Sequence, residues 1–251
     1  MLARILPTLI IAALLLAAWE GYCHLMGVSP MVLPPPSGVI RALVAHRDAI
    51  IPHGVATLTV ASIGFALSVS FACLTSVALY FTPWAQRGLM PLFVVSQTVP
   101  LIALAPLMIL WFGFGLLPKV LLVILVTFFP MLLSLLSAYR QTPGAFVDLL
   151  ASMGAGRWAI FWRATVPSAR AAFLAGLRIS ATYAIVATIF AEYAGARRGL
   201  GIYILSAKNN FRADLVLAAV VISALLTLTL LGAIRLFDRL TAKGPEVRRD
   251  A

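Results

Sequence analysis

Four stretches of this chain carry no Asp, Glu, Lys or Arg over lengths that would cross a bilayer, and nothing else in the sequence restricts the fold so strongly. They are Gly54–Gln86, Gly88–Pro118, Val120–Tyr139 and Leu215–Ile234. A fifth, Ala171–Ala191, holds one charge, Arg178. A sixth begins at Ile5, stays apolar to Trp19 and extends through Glu20 to about Met26. A membrane helix needs about 20 mostly apolar residues. Six spans are therefore expected, at 5–26, 54–81, 88–113, 118–139, 168–193 and 213–236, in an all-α polytopic protein of one transmembrane domain over residues 1–251. Composition agrees, with 62% of residues hydrophobic and 11% charged. Ordinary soluble domains are roughly 25% charged, and a soluble fold of this size has no interior large enough for so much apolar surface.

The first apolar segment follows Arg4, so it also has the form of a cleaved signal peptide. Its length, and Trp19-Glu20 where small cleavage-site residues would stand, favour a retained helix. The net charge of +11 comes from short connections between apolar runs, with no sustained basic face, which argues for headgroup and cytoplasmic contact and against nucleic acid. With a cytoplasmic N-terminus, Arg4, Arg87, Arg140, Arg157, Arg163, Arg170, Arg178, Arg235, Arg239, Lys243, Arg248 and Arg249 lie inside. Arg41, Arg47, Lys119, Arg197, Arg198, Lys208 and Arg212 lie outside. Lys and Arg concentrate on cytoplasmic loops, so twelve against seven places both termini in the cytoplasm.

The connections have distinct characters. Gly27–His53 is the longest outer one; its Leu33-Pro34-Pro35-Pro36-Ser37 run is stiff and extended, and Ser37 is expected to cap a short helix through Val44. Phe81–Arg87 is a tight inner turn, Gly113–Lys119 a tight outer one, and Gly195–Asp214 an outer loop. Residues 140–167 form the largest inner segment. There Phe146, Leu149, Leu150 and Met153 make one apolar stripe at helical spacing. Gly154-Ala155-Gly156 then breaks the helix, a second short helix carries Trp158, Ile160, Phe161 and Trp162, and Pro167 stands where a first helical turn tolerates proline. Periodicity alone leaves two readings open: a helix lying on the inner leaflet, or one inserted in a groove of a soluble partner.

Catalytic chemistry finds no footing. Lys119, Lys208 and Lys243 precede Val120, Asn209 and Gly244, so no Gly-Lys-Ser/Thr phosphate loop exists. His24, His46 and His53 are scattered, the last two being read as a solvated loop pair; Cys23 and Cys73 lie in apolar runs as packing residues. No metal site and no catalytic residue is expected.

The stretch Asp148-Leu149-Leu150-Ala151-Ser152-Met153-Gly154, nine further residues, and Ala164-Thr165-Val166-Pro167 resembles the EAA motif of ABC importer permeases. That pattern is Glu-Ala-Ala, three residues, Gly, nine residues, Ile-x-Leu-Pro. The spacing from Gly154 to Pro167 matches, while Asp148 replaces Glu, Leu149 and Leu150 replace the alanines, and Ala164 and Val166 replace Ile and Leu. The proline-rich run at 33–37, Pro106–Gly113, Gly176-Leu177-Arg178-Ile179, and Ala191-Glu192 with Gly199-Leu200-Gly201 are similar to stretches of the nitrate/sulfonate/taurine class. Ser96–Pro100 with Leu117-Pro118-Lys119 leans to the branch importing thiamine-type pyrimidines and riboflavin.

The resemblance implies a type I importer permease fold, a second permease copy, two ATP-binding cassette subunits holding ATP and magnesium, and an extracytoplasmic binding protein, all at a bacterial inner membrane. It implies that Asp148, Leu149, Leu150, Met153, Gly154, Ala155, Arg157, Trp158, Phe161 and Pro167 belong to the segment that couples to the ATPase. For the translocation path, the fifth span offers a small, partly polar stripe of Gly176, Ser180, Ala184, Thr188 and Glu192, and the third span offers Gln97 and Thr98. Tight helix packing explains the small residues equally well. Glu192 must face water or pair with a cation such as Arg197 or Arg198. Arg178 is expected to snorkel or to pair with a carboxylate. A self-powered transporter or channel is the alternative, although deep charges for ion coupling are nearly absent.

Overall fold

A computed structural model provides the fold, described over residues 2–241, with side chains from Leu6 onward. The orientation cations Lys243, Arg248 and Arg249, and the side chain of Arg4, lie outside that description. Among the described residues the chain is helical and contains no strand. Five helices are long and apolar enough to span a bilayer: α1 (Leu2–Leu25, over Leu6–Leu25), α3 (Arg47–Phe81), α6 (Leu116–Arg140), α10 (Arg170–Tyr193) and α12 (Ala213–Thr241).

The expected single span at 88–113 is instead a broken pair. Helix α4 (Pro83–Ser96) and helix α5 (Leu101–Phe112) meet at 100° across residues 97–100. Pro100 has no N–H for a helical bond, and its ring disfavours helical geometry at Val99; Pro100 itself is extended, at φ −61° and ψ 124°. Counted as one span, the pair brings the total to six. A second difference lies at the start of α3. This helix begins at Arg47, so Pro52 and His53 sit inside it and not in a loop.

Helix α2 (Pro36–Ala45) fills part of the connection between α1 and α3, but Ser37 does not cap it. Pro35 holds the cap position, extended at φ −66° and ψ 153°, and Pro36 opens the first turn, where a missing N–H costs nothing. Ser37 instead gives its backbone N–H (2.9 Å) and hydroxyl (2.7 Å) to the Glu20 carboxylate, tying α2 to the end of α1.

The core is a three-helix packing of α3, α6 and α10. Its main cluster includes Ala72, Leu79, Met131, Leu132, Leu135, Leu177 and Ala181. Small residues let the backbones approach. A Cβ on Gly64 would lie 2.7 Å from Val123, and one on Gly176 would lie 2.9 Å from the Met131 sulfur. In lipid, association rests on this packing because hydrocarbon solvates Leu as well as a protein interior does. A smaller cluster of Val39, Ile50, Leu200, Ala218 and Ala219 joins α2, α3, α12 and α11 (Leu200–Asn209) at one end. Phe81, Tyr139, Phe161 and Asp238 mark the opposite end. There Asp238 pairs with Arg170 at 2.8 Å and with Arg178 at 3.5 Å, so Arg178 takes the carboxylate partner expected of it.

Candidate functional site

Residues 140–170 build a two-part projection at that second end. Pro143, at φ −59° and ψ 123°, turns the chain into α7 (Gly144–Ser152). The helix stops where Gly154 adopts φ +81°, a left-handed conformation that glycine enters without the Cβ penalty. The Ala155 N–H donates to the Leu150 carbonyl (2.9 Å) and the Gly154 N–H to that of Ala151 (2.9 Å). This double bond pattern closes a helix end through an αL glycine. Helix α8 (Arg157–Ile160), a π-helical turn (Phe161–Thr165) and α9 (Val166–Ser168) then lead into α10, with Pro167 in the first turn of α9. Single π turns inside α-helices occur often at functional sites.

The two faces of the projection differ sharply. Phe146 and Leu149 are each 57% exposed, Met153 74%, Trp158 57% and Trp162 50%, while Asp148 and Arg157 are also exposed. Phe161, expected within the coupling segment, is fully buried and turns toward the bundle. Its ring centroid lies 4.6 Å from Tyr80, 5.3 Å from Phe81 and 5.4 Å from Tyr139. The Tyr139 hydroxyl is fixed by Ser76 at 3.1 Å, and Trp158 packs on Phe81 at 4.8 Å. The segment thus presents an apolar outer surface while one aromatic residue pins it to the ends of α3 and α6.

At the opposite end Glu192 is fully buried and pairs with neither Arg197 nor Arg198, correcting that expectation. Its carboxylate accepts the Thr57 hydroxyl (2.9 and 3.0 Å to its two oxygens) and the Gly201 N–H (3.0 Å). Thr57 in turn accepts the Leu200 N–H at 2.8 Å. Two first-turn amides of α11, which no intrahelical carbonyl can satisfy, are therefore capped from α10 and α3. Gly199 reaches this site at φ +139°, and its amide nitrogen and carbonyl oxygen lie 3.0 and 2.8 Å from His53 Nδ1. His53 is accordingly part of an interhelical junction and not half of a solvated pair with His46.

The other residues expected along a path divide in two. Ser180 and Thr188 are fully buried and bonded within the chain, to the Thr127 carbonyl (2.9 Å) and the Ala184 carbonyl (2.8 Å). The small stripe of α10 thus faces α6 and α3 across a packed contact. Gln97 and Thr98 are exposed at the α4–α5 break and not deep in a continuous helix. They border a groove of about 510 Å³ with Pro100, Leu125, Tyr183 and Val186, and Gln97 donates to the Leu125 carbonyl at 3.3 Å. Replacing Gln97 by Leu is expected to leave assembly intact and lower uptake; unchanged uptake would reduce it to a packing residue. Thr57 and His53 escaped sequence reasoning because their partners lie more than 130 residues away; the spacing of Glu192 to Gly199-Leu200-Gly201 was the sole local hint.

Comparison with known proteins places this helical membrane domain with its protruding, internally anchored turn. The model of the binding-protein-dependent transport system inner membrane component matches residues 64–243, and the chain belongs to that family. It is a multi-pass permease subunit of an ABC importer. It is 34% identical to the formylaminopyrimidine transport permease protein ThiX of Halalkalibacterium halodurans, over 93% of each chain. The riboflavin transport system permease protein RibX of Chloroflexus aurantiacus is 34% identical, over 92% of this chain and 87% of that one. The taurine transport system permease protein TauC of Escherichia coli is 32% identical, over 94% and 89%. In fold the chain matches the inward-facing MetNI methionine ABC transporter with a TM-score of 0.69 at 16% identity, over 79% of this chain and 99% of that one.

Proposed function

We propose that two copies of this chain form the translocation path of the importer, with two ATP-binding cassette subunits on the cytoplasmic side and a solute-binding protein on the outer side. ATP and magnesium belong to the cassette subunits, which hydrolyse the nucleotide. Both termini face the cytoplasm, so that residues 140–167 project toward the ATPase and α11 faces outward. The observation that carries this reading is the exposed apolar stripe of Phe146, Leu149, Met153 and Trp158 on a segment otherwise anchored to the bundle. Large exposed apolar surface outside the lipid calls for a partner, and Leu150, Gly154, Ala155 and Pro167 shape that surface without needing to touch it.

Coupling follows from rigidity. A docked α7–α8 unit that moves with its ATPase shifts α3, α6 and α10 together, and the change between inward- and outward-facing states is a two-state switch biased by nucleotide. Gln97 and Thr98, at the helix break, would line the path, because irregular backbone at membrane depth is tolerated only where protein or water covers it. Ser180, Thr188 and Glu192 would hold together the helices that form it. The cargo is a small polar solute, a vitamin precursor such as a thiamine pyrimidine or riboflavin, or else nitrate, taurine or another sulfonate; the relatives' own cargoes support this range.

Substituting Gly154→Trp, on the exposed turn of the projection, is expected to abolish co-purification with the ATPase while the membrane domain persists. The αL geometry makes any side chain at Gly154 cost about 1 kcal/mol locally, so the larger loss is that of docking. Solute uptake by the chain without any ATPase would overturn the reading. The ligand retained by the purified binding protein identifies the cargo.

A further inference from the structure

A cavity of about 830 Å³ opens at the α11 end of the bundle. It lies between α3, the turn joining α5 to α6, and the turn joining α10 to α11. Its walls are mostly apolar, from Ala56, Val60, Phe114 and Leu116, yet three cations converge on it: Lys119, Arg197 and Arg198. No carboxylate lines it. Of the other cations at this end, Arg47 and Arg212 have acidic partners, while among the described residues Arg41 and Lys208 have none. Arg212 is bound by Asp214 at 2.7 Å, which raises its pKa further, and Arg47 lies 3.6 Å from Asp48. Among the described residues Lys119, Arg197 and Arg198 make no ion pair and no side-chain hydrogen bond. Glu192 lies behind the wall, fully buried and already bonded to Thr57 and Gly201.

Two independent physical arguments point the same way. Half-buried Lys119 and the exposed Arg197 and Arg198 line one opening; like charges there repel, and apolar walls weaken solvent screening and focus the field. Cations are also disfavoured in short loops on the outer face, so three of them converging on one opening run against the ordinary bias of a membrane protein. Arginine pairs readily with oxyanions in a two-pronged geometry.

We propose that this cavity is an anion-receiving vestibule, which takes an oxyanion group (sulfonate, carboxylate or phosphate) into contact with Lys119, Arg197 and Arg198. The proposal rests on the importer reading and deepens it, selecting cargo that bears such a group over neutral ring compounds. The same chemistry could be supplied by the phosphate of an outer-leaflet lipid.

The test is equilibrium retention of radiolabelled inorganic sulfate by the permease in phosphatidylcholine nanodiscs at low salt, compared with a variant carrying Lys119→Gln, Arg197→Gln and Arg198→Gln. Sulfate binding is expected to be about tenfold tighter in the natural chain and to fall steeply as sodium chloride is raised. Adding phosphatidylglycerol distinguishes the source. Suppressed sulfate binding, with more phosphatidylglycerol co-purifying with the natural chain than with the variant, assigns the site to lipid; unaffected binding assigns it to a solute. Equal sulfate retention by both proteins, or none by either in phosphatidylcholine, overturns the proposal. Binding is read without nucleotide or ATPase, so this failure stands apart from a failure of ATPase co-purification.

Discussion

Gly201→Ala is expected to destabilise the permease by at least about 3 kcal/mol, in the upper range for a single substitution. A Cβ at Gly201 would collide with the Ile189 carbonyl oxygen and lie 2.7 Å from Glu192 Cβ and 2.9 Å from the Tyr193 amide nitrogen. Two of these are backbone atoms of α10, so no side-chain rotation relieves the clash. The start of α11 would have to retreat, and retreat breaks the Gly201–Glu192 and Leu200–Thr57 hydrogen bonds together. Each buried group left without its partner costs roughly a further 1–3 kcal/mol. Gly232→Ala is the control, since its Cβ enters open space within α12 and alanine is favoured over glycine in a helix. Thermal unfolding in detergent, followed by loss of monodisperse protein, should show a much lower midpoint for Gly201→Ala and an unchanged or higher one for Gly232→Ala. Matching midpoints would mean that the junction of α3, α10 and α11 does not hold this end of the bundle.

Phe161→Ala is expected to cost about 3–5 kcal/mol, the usual range for deleting a buried aromatic ring. The ring is the centre of a cluster with Tyr80, Phe81 and Tyr139, and its removal leaves a void where the π-helical turn meets α3 and α6. Because so large a loss can prevent folding, Phe161→Leu is the more informative variant. It keeps an apolar side chain in place but loosens the grip of the projection on the bundle. The reconstituted importer carrying Phe161→Leu should retain its ATPase and hydrolyse ATP, while the solute moved per ATP falls several-fold. Trp158→Ala, on the exposed face, should instead weaken the association itself. If Phe161→Leu transports with the natural yield per ATP, the aromatic pin has no part in transmission.

The contrast between these two residues explains what a linear reading can recover. Phe161 and Trp158 are three positions apart on a short amphipathic segment, and both look like members of one docking face. Which of them turns inward depends on Tyr80, Phe81 and Tyr139, residues supplied by other helices. The same limit applies to Glu192. A carboxylate near a helix end must find a donor or water, so its need was legible, but the sequence offered Arg197 and Arg198 as neighbours when the donors were Thr57 and the amide of Gly201. Gln97 illustrates a local signal taken too weakly. Pro100 has no N–H for a helical bond, yet the bend of 100° depends on how α4 and α5 then pack.

What the chain determines unaided is its solvent and its segmentation. Apolar length, charge-free runs and punctuation by proline and glycine act over a few residues and have few physical solutions, so the membrane helices, the tight turns and the bend at Gly154 can be read directly. Tertiary structure alone decides which polar and aromatic groups meet. Thr57 and Glu192 are joined across 135 positions, Tyr80 and Thr165 across 85. Such contacts are set by the register in which whole helices pack, a property that small residues permit but that no local stretch of sequence encodes.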